Sequence, residues 1–270
     1  MKTLPDLATV VEVVRDIARR EILPRAQDVR STRKADGSLV TEADHAVQAA
    51  LQAELHRRWP EVALLGEEMA CEEQAGLIQH SASALWCLDP LDGTSNFAVG
   101  LPFFCTSLAL LHEGEVVQGV VYDPLRDECY AAEKGRGASL NGVRLGTVRP
   151  ASPLRGGVGL VDLKRLPRAL AERLVREPPY ASQRSLGSVA LDWCWVAAGR
   201  VHVYLHGKQK LWDYAAGELI LREAGGHSAT LDGESVSRPS LAPRSSVAAL
   251  DEALFQEWAA WLGVPGHQRG

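Results

Sequence analysis

The chain has 270 residues, 46% hydrophobic and 23% charged, with 29 Lys and Arg against 34 Asp and Glu, for a formal net charge of −5. That length suits one large domain or two closely packed halves with a substantial core. The mixed, slightly acidic balance excludes the basic footprint of a nucleic-acid binder and a polybasic membrane arm, and the 5 scattered cysteines, with no CxxC pair, exclude a disulfide framework and a zinc knuckle.

The first segment, MKTLPDLATVVEVVRDIARREILPRA, carries Asp6, Glu12, Arg15 and Asp16 where a signal peptide needs an unbroken apolar core. No stretch approaches the ~18 consecutive apolar residues of a membrane span. A cytoplasmic protein with reduced, buried thiols is the expectation. Leu4, Leu7, Val11, Val14, Ala18 and Ile22 recur at helical spacing and predict an amphipathic helix ending before Pro24. In KADGSLVTEADHAVQAALQAELHRRWP a polar loop precedes a second helix, with Thr41 near its start, Val47, Leu51 and Leu55 on one face, and Pro60 as its stop. Asp44 stands three residues after Thr41, as the acidic member of a capping box would. In LLGEEMA an apolar run and a glycine put Glu67 or Glu68 at a strand end, although a solvated pair reads equally well.

LWCLDP, FFCTSLALL, EVVQGVVYDP and ECYAAE predict antiparallel strands broken at Glu113-Gly114, Asp123-Pro124 and Gly135-Arg136-Gly137. Asn141-Gly142 predicts a tight hairpin. After Pro150 the texture alternates: GGVGLVDL, HVYLH and SSVAAL read as strands, and LPRALAERLVRE, SVALDWCWVAAGRV, YAAGELILREAGG and DEALFQEWAAWL as helices. The boundary expected at Arg149-Pro150-Ala151-Ser152-Pro153 is too short for a flexible linker. The prediction is an α+β half over residues 1–149 and an α/β half over 150–270, packed as one compact unit.

The stretch LDPLDGTSNF sets Asp89 and Asp92 on either side of Pro90-Leu91, followed by Gly93. If Asp89 closes a strand, proline stops the ladder and glycine permits a sharp turn with close backbone approach, so both carboxylates converge at a strand end. Oxygen ligands with few His or Cys nearby suit a hard ion, Mg²⁺ or Mn²⁺, rather than zinc. A plain turn that starts a helix accounts for the decapeptide equally well. Asp213, in KLWDYAAGELILREAGG, directly precedes a predicted helix whose first turn is small, and an ordinary N-cap is the competing reading.

Taken together, KADGSLVTEAD, GEE, WCLDPLDGTSNF, VYDPLRDECYAAEKGRGASLNG and LWDYAAGELILREAGG resemble the inositol monophosphatase family in order, spacing and content, from about Lys34 to Gly226. The resemblance implies a layered αβαβα fold and a magnesium-dependent, lithium-sensitive phosphomonoesterase, usually homodimeric. By motif, Glu67, Asp89 and the Leu91 carbonyl would hold one Mg²⁺, and Asp89, Asp92 and Asp213 a second, with Mn²⁺ a possible substitute. The ions would clamp the phosphate and acidify the attacking water. Thr94 would orient that water with Asp44 behind it, Glu67 would accept proton density, and the Gly93 and Thr94 N–H groups would meet the phosphate. With Asp92 and Asp213, the resemblance also places Gly187, Ser188, Val189 and His206 at the substrate. His206 departs from the family, which carries an acid there to contact ring hydroxyls. With Lys208 and Lys210 it would meet a second anionic group or simply face solvent.

No GxxxxGK[ST] loop, GxSxG elbow or HExxH helix is present. The function expected is hydrolysis of a small polyol or sugar phosphate, inositol 1-phosphate first, without nucleic acid or membrane as partner. The alternatives are relatives acting on fructose 1,6-bisphosphate, histidinol phosphate or 3′-phosphoadenosine phosphate, and a regulatory binding protein that retains the fold.

Overall fold

The computed structural model describes residues 4–27, 31–33, 39–80, 84–147 and 152–267. Residues 34–38 of the first acidic block and residues 149–151 of the boundary expected at 149–153 lie outside them. Helix α1 (Leu7–Ile22) begins at Asp6, whose carboxylate accepts the Thr9 N–H at 3.0 Å. It buries Val10, Val13, Val14, Ile17, Ala18 and Ile22, whereas Leu4 is exposed and Leu7 and Val11 are half-buried. The expected stripe is therefore rotated. TVVEVV offers two overlapping apolar rows, and a helix packed against both a helix and a sheet buries a wide stripe, which selects the row centred on Val14.

After the ribbon of β1 (Ser31–Arg33) and β2 (Leu39–Thr41) comes α2 (Glu42–Arg58), with the predicted Val47, Leu51 and Leu55 in the core. Next are β3 (Ala63–Gly66), α3 (Cys71–His80), β4 (Ala84–Asp92), the short α4 (Thr94–Ala98), β5 (Cys105–His112), β6 (Glu115–Asp123), β7 (Glu128–Glu133), β8 (Gly137–Leu140) and β9 (Val143–Arg144). The strands form one seven-stranded sheet in chain order, parallel between β3 and β4 and antiparallel from there on. The Asn141-Gly142 turn has positive φ at both residues, 48° and 79°, as the hairpin requires.

The rest of the chain contains β10 (Val158–Val161), α5 (Arg168–Arg176), β11 (Ser182–Arg184), α6 (Val189–Ala197), β12 (Val203–Gln209), α7 (Leu211–Glu223), β13 (His227–Ala229), β14 (Arg244–Ala249) and α8 (Glu252–Leu262). Its five strands are ordered β11-β10-β12-β14-β13, parallel around β10 and antiparallel around β14.

Side-chain alternation explains the stacking. On β4, Trp86 and Leu88 face α1 and α2, while Leu85 and Cys87 face α6 and α7. On the second sheet Leu160, Tyr204 and Ala248 join the same central layer as α6 and α7, and Val161, Val203 and Val247 turn outward to α8. The order is helix, sheet, helix, sheet, helix, the layered αβαβα fold. Sheets covered on both faces need nearly continuous apolar strands, and β4, β5 and β6 are buried along almost their whole length. For the same reason α7, clamped between two sheets, is buried from Tyr214 through Leu221 all round its axis. Four cysteines are buried and free, but Cys71 is exposed, contrary to expectation. No helix among the described residues is long and apolar enough to cross a membrane.

Helix α7 rests on β6 at backbone distance: a Cβ on Gly119 would lie 2.9 Å from both Cα and O of Ala216. Main chain cannot swing aside as a side-chain tip can. Gly119→Val should therefore cost about 1–3 kcal/mol and lower the melting temperature followed by circular dichroism. An unchanged midpoint would mean that α7 is not seated on the sheet this tightly.

Candidate active site

The acidic residues gather because the seven-stranded sheet and the central helices end at the same place. Gly66 pairs with Leu88, and the Glu67 N–H continues the parallel ladder to the Leu88 carbonyl at 3.1 Å, which sets Glu67 beside Asp89 on the neighbouring strand. Asp89, expected from the sequence to close a strand, does not close β4. The strand runs on to Asp92 through an irregular step, pairing Asp89 with Ser107 and Asp92 with Cys105. Pro90 lacks an N–H and leaves the ladder, but its carbonyl accepts the Thr106 hydroxyl at 2.9 Å, and Asp89 Oδ1 accepts the Leu91 N–H at 3.0 Å. These bonds hold the step rigid between the two carboxylates.

Gly93 then turns the chain at φ 92°, where a Cβ would stand 2.9 Å from the Phe103 carbonyl. Thr94 opens α4 there, and its hydroxyl lies 2.9 Å from the Leu91 carbonyl and 3.1 Å from Asp44 Oδ1. Asp44 is the predicted capping-box acid of α2, accepting the Thr41 N–H at 2.7 Å through Oδ2, so one oxygen serves the helix and the other faces Thr94.

Asp213 comes from the opposite side. It lies inside the first turn of α7 rather than before it, and Oδ2 accepts the Lys210 N–H at 2.8 Å. The Ser107 hydroxyl donates to the Trp212 carbonyl at 3.2 Å, tying the strand that faces Asp89 to the helix that carries Asp213. Asp92 is held by the start of α6: Oδ2 accepts the Ser188 hydroxyl at 2.7 Å and the Ala190 N–H at 2.6 Å.

Burial, with little solvent to stabilise charge, pushes the Asp89 and Asp213 carboxyls well above the usual carboxylate range. Glu67 and Asp92 push both further, and the Arg165 charge pulls Asp213 back. Burial also raises Asp44. It lifts Asp92 to about 6, against the pull of hydrogen bonds from Ser188, Ala190 and Val189. These acids feel one another's charge, so they form one cluster.

The donors to Asp89, Asp92 and Asp213 in these bonds are backbone N–H groups and the Ser188 hydroxyl, not ammonium or guanidinium groups. Buried oxygens that repel one another and, among the described residues, meet no bonded cation fit a hard divalent ion. Among the described residues no three or more His, Cys, Asp or Glu side chains form a ready-made metal cage. Mg²⁺ is an ion that keeps several of its waters and needs fewer protein ligands than a closed cage supplies.

The chain matches the family model described as the inositol monophosphatase family over residues 5–261. It belongs to that family. The chain is 38% identical over 210 residues to the Nus factor SuhB of Pasteurella multocida, with 75% of each protein covered. It is 37% identical over 221 residues to an inositol-1-monophosphatase of Mesorhizobium japonicum, with 77% of each covered. Among solved structures it resembles the staphylococcal SaIMPase-II with inositol monophosphate bound, at TM-score 0.75 and 25% identity, over 93% of this chain and 91% of that one.

Against this inositol monophosphatase frame, two sequence expectations change, those for Ser188 and His206. Ser188 is fully buried and turned onto Asp92 rather than toward a substrate; Val189 follows it half-buried, and Gly187 stays exposed. His206 faces neither solvent nor an open anion site: it is 5% exposed, with Nε2 3.2 Å from Asp162 Oδ2 and Nδ1 accepting the Lys208 N–H at 3.2 Å. Lys208 and Lys210 are exposed. Two positioning residues carried no sequence signal. Asn96 donates to the carbonyls of Phe103 and Leu186, both at 2.7 Å, and Ala190 contributes only its backbone.

A carboxyl whose pKa is raised on folding stabilises the fold below its unfolded value and loses that contribution as pH rises through the folded value. For Asp92 the window runs from 3.8 to about 6, and Asp89 and Asp213 extend it upward. Acids lowered by arginine, such as Asp127 and Glu128, change their contribution only below their ordinary values of 3.8 and 4.5, at the acid end of this window. Without divalent ions the melting temperature should therefore fall as the pH rises through about 6, and Mg²⁺ should restore more of it at the higher pH. A flat metal-free profile would remove the electrostatic basis of the cluster.

Proposed function

We propose that this protein is a Mg²⁺-dependent phosphomonoesterase acting on a small polyol or sugar phosphate, with inositol 1-phosphate as the reference substrate. The carrying observation is the convergence of Glu67, Asp89, Asp92 and Asp213 beside the Thr94 and Asp44 pair. Glu67, Asp89, Asp92, Asp213 and the Leu91 carbonyl would hold the Mg²⁺, for which Mn²⁺ could substitute; when bound it supplies positive charge against the phosphoryl oxygens and lowers the pKa of the attacking water.

The chain's own residues position the reaction. Thr94 has one hydroxyl proton and two partners in reach; directing that proton to Asp44 leaves its lone pairs for the water, which then points an oxygen at phosphorus. Glu67, beside Asp89, takes up the proton density released as the water attacks. The Gly93 and Thr94 N–H groups receive phosphoryl oxygens, and the turn at Gly93 keeps side chains out of their way. The bonds on Asp92 hold the cluster in register before substrate arrives. Family membership further supports a cytoplasmic homodimer inhibited by lithium.

The test is phosphate release from inositol 1-phosphate as Mg²⁺ is titrated, alongside fructose 1,6-bisphosphate, histidinol phosphate and 3′-phosphoadenosine phosphate. Asp89→Asn and Asp213→Asn should each cut the rate by about two orders of magnitude or more. Both remove like-charge repulsion, so their metal-free melting temperatures should hold or rise, which separates lost chemistry from lost folding. Near-normal rates in both variants would overturn the assignment, and millimolar lithium should inhibit the wild type. The name of the Pasteurella relative supports a second reading, a regulatory protein that keeps this fold. Separation of the two roles would appear as an Asp89→Asn protein with no hydrolysis and an intact cellular phenotype.

A further inference from the structure

A cleft of about 990 Å³ opens beside the carboxylate cluster, bounded by Ser95, next to Thr94, and by Lys164, Arg165, Gly207 and Lys208, with Arg33 also on its wall. The cluster's own carboxylates lie outside that lining, but the Arg165 charge reaches Asp213. We propose that this cleft receives a second phosphate of the substrate, so that the preferred phosphomonoester carries another phosphate on its alcohol portion. The proposal rests on the phosphomonoesterase reading above.

Two observations carry it. Lys164, Arg165 and Lys208 are exposed and, among the described residues, none forms an ion pair; Asp232 is the acid on the cleft wall. Uncommitted cations converging on a concavity favour an anion there. These cations are also held in place. Asp162 Oδ1 accepts the Lys164 N–H at 3.1 Å and so caps the turn Leu163–Arg165, while Oδ2 takes His206 Nε2 at 3.2 Å. His206 Nδ1 accepts the Lys208 N–H at 3.2 Å. One Asp–His pair thus anchors both basic segments. The turn presses onto β12 at Gly207, where a Cβ would sit 1.9 Å from the Arg165 carbonyl oxygen. His206 is therefore a positioning residue for Lys164, Arg165 and Lys208.

A matched pair tests this: fructose 1,6-bisphosphate against fructose 1-phosphate, which differ only in the second phosphate. The wild type should favour the bisphosphate at least tenfold in kcat/KM, chiefly through KM, and added salt should erode that preference. The Lys164→Ala, Arg165→Ala double variant should lower the preference at least tenfold, and His206→Ala should lower it through KM with kcat held. Equal kcat/KM values for the pair in the wild type, or a preference that survives the double variant, would overturn the proposal. Calorimetric titration of the same pair reads the cleft without turnover. Absence of hydrolysis with tighter bisphosphate binding would therefore sink the phosphatase reading while supporting the cleft, and equal binding would sink the cleft.

Discussion

The structure is organised around the cost of burying several like charges in one seam. Five acids, Asp44, Glu67, Asp89, Asp92 and Asp213, meet where the seven-stranded sheet ends against the central helices, and burial penalises ionisation of the aspartates. The surrounding bonds distribute that cost unevenly. Asp92 sits on the α6 N-terminus and receives three donors, so it ionises more readily than Asp89, which accepts the Leu91 N–H and has four acidic neighbours. In the metal-free protein the seam therefore holds protons at some positions and charge at others. A divalent cation would exchange the former for itself.

The same constraint shapes the helices that have no chemistry. An acid delivered from α7 must reach acids delivered from β4, so α7 has to lie close to the sheet. Gly119 and Ala216 provide that approach on one side, and on the other a Cβ on Gly217 would come within 2.6 Å of Trp193 Cβ. Ala215-Ala216-Gly217 thus belongs to the site although none of the three touches it.

Much of this was legible. The acids of LDPLDGTSNF, GEE and KLWDY lie close enough to feel one another's charge, and Thr41 and Asp44 form the capping box that their spacing announced. What stayed hidden was set by partners distant in sequence. The strands β11 and β13 have three residues each and exist only because β10 and β14 complete them. Ser188 looks like a substrate hydroxyl until Asp92 is placed above it, and His206 looks like an anion contact until Asp162 is placed against its Nε2. Backbone donors such as Ala190 leave no trace in residue type. The placement of Asp213 inside rather than before its helix is a shift of a few residues, because KLWDY lets the helix begin at Leu211.

The seam also has a consequence for how the chain comes to order. Its acids are drawn from α2, the end of β3, β4 and α7, so they are assembled only after the second half of the polypeptide has docked onto the first. Contacts of such long sequence separation form late. A nascent or truncated chain would possess the motif LDPLDGTSNF and still lack the cluster. Cation capture would then reward only the completed molecule, by mass action on the native state. The acid seam exists only in the assembled chain, because no single half of the polypeptide carries all of its acids.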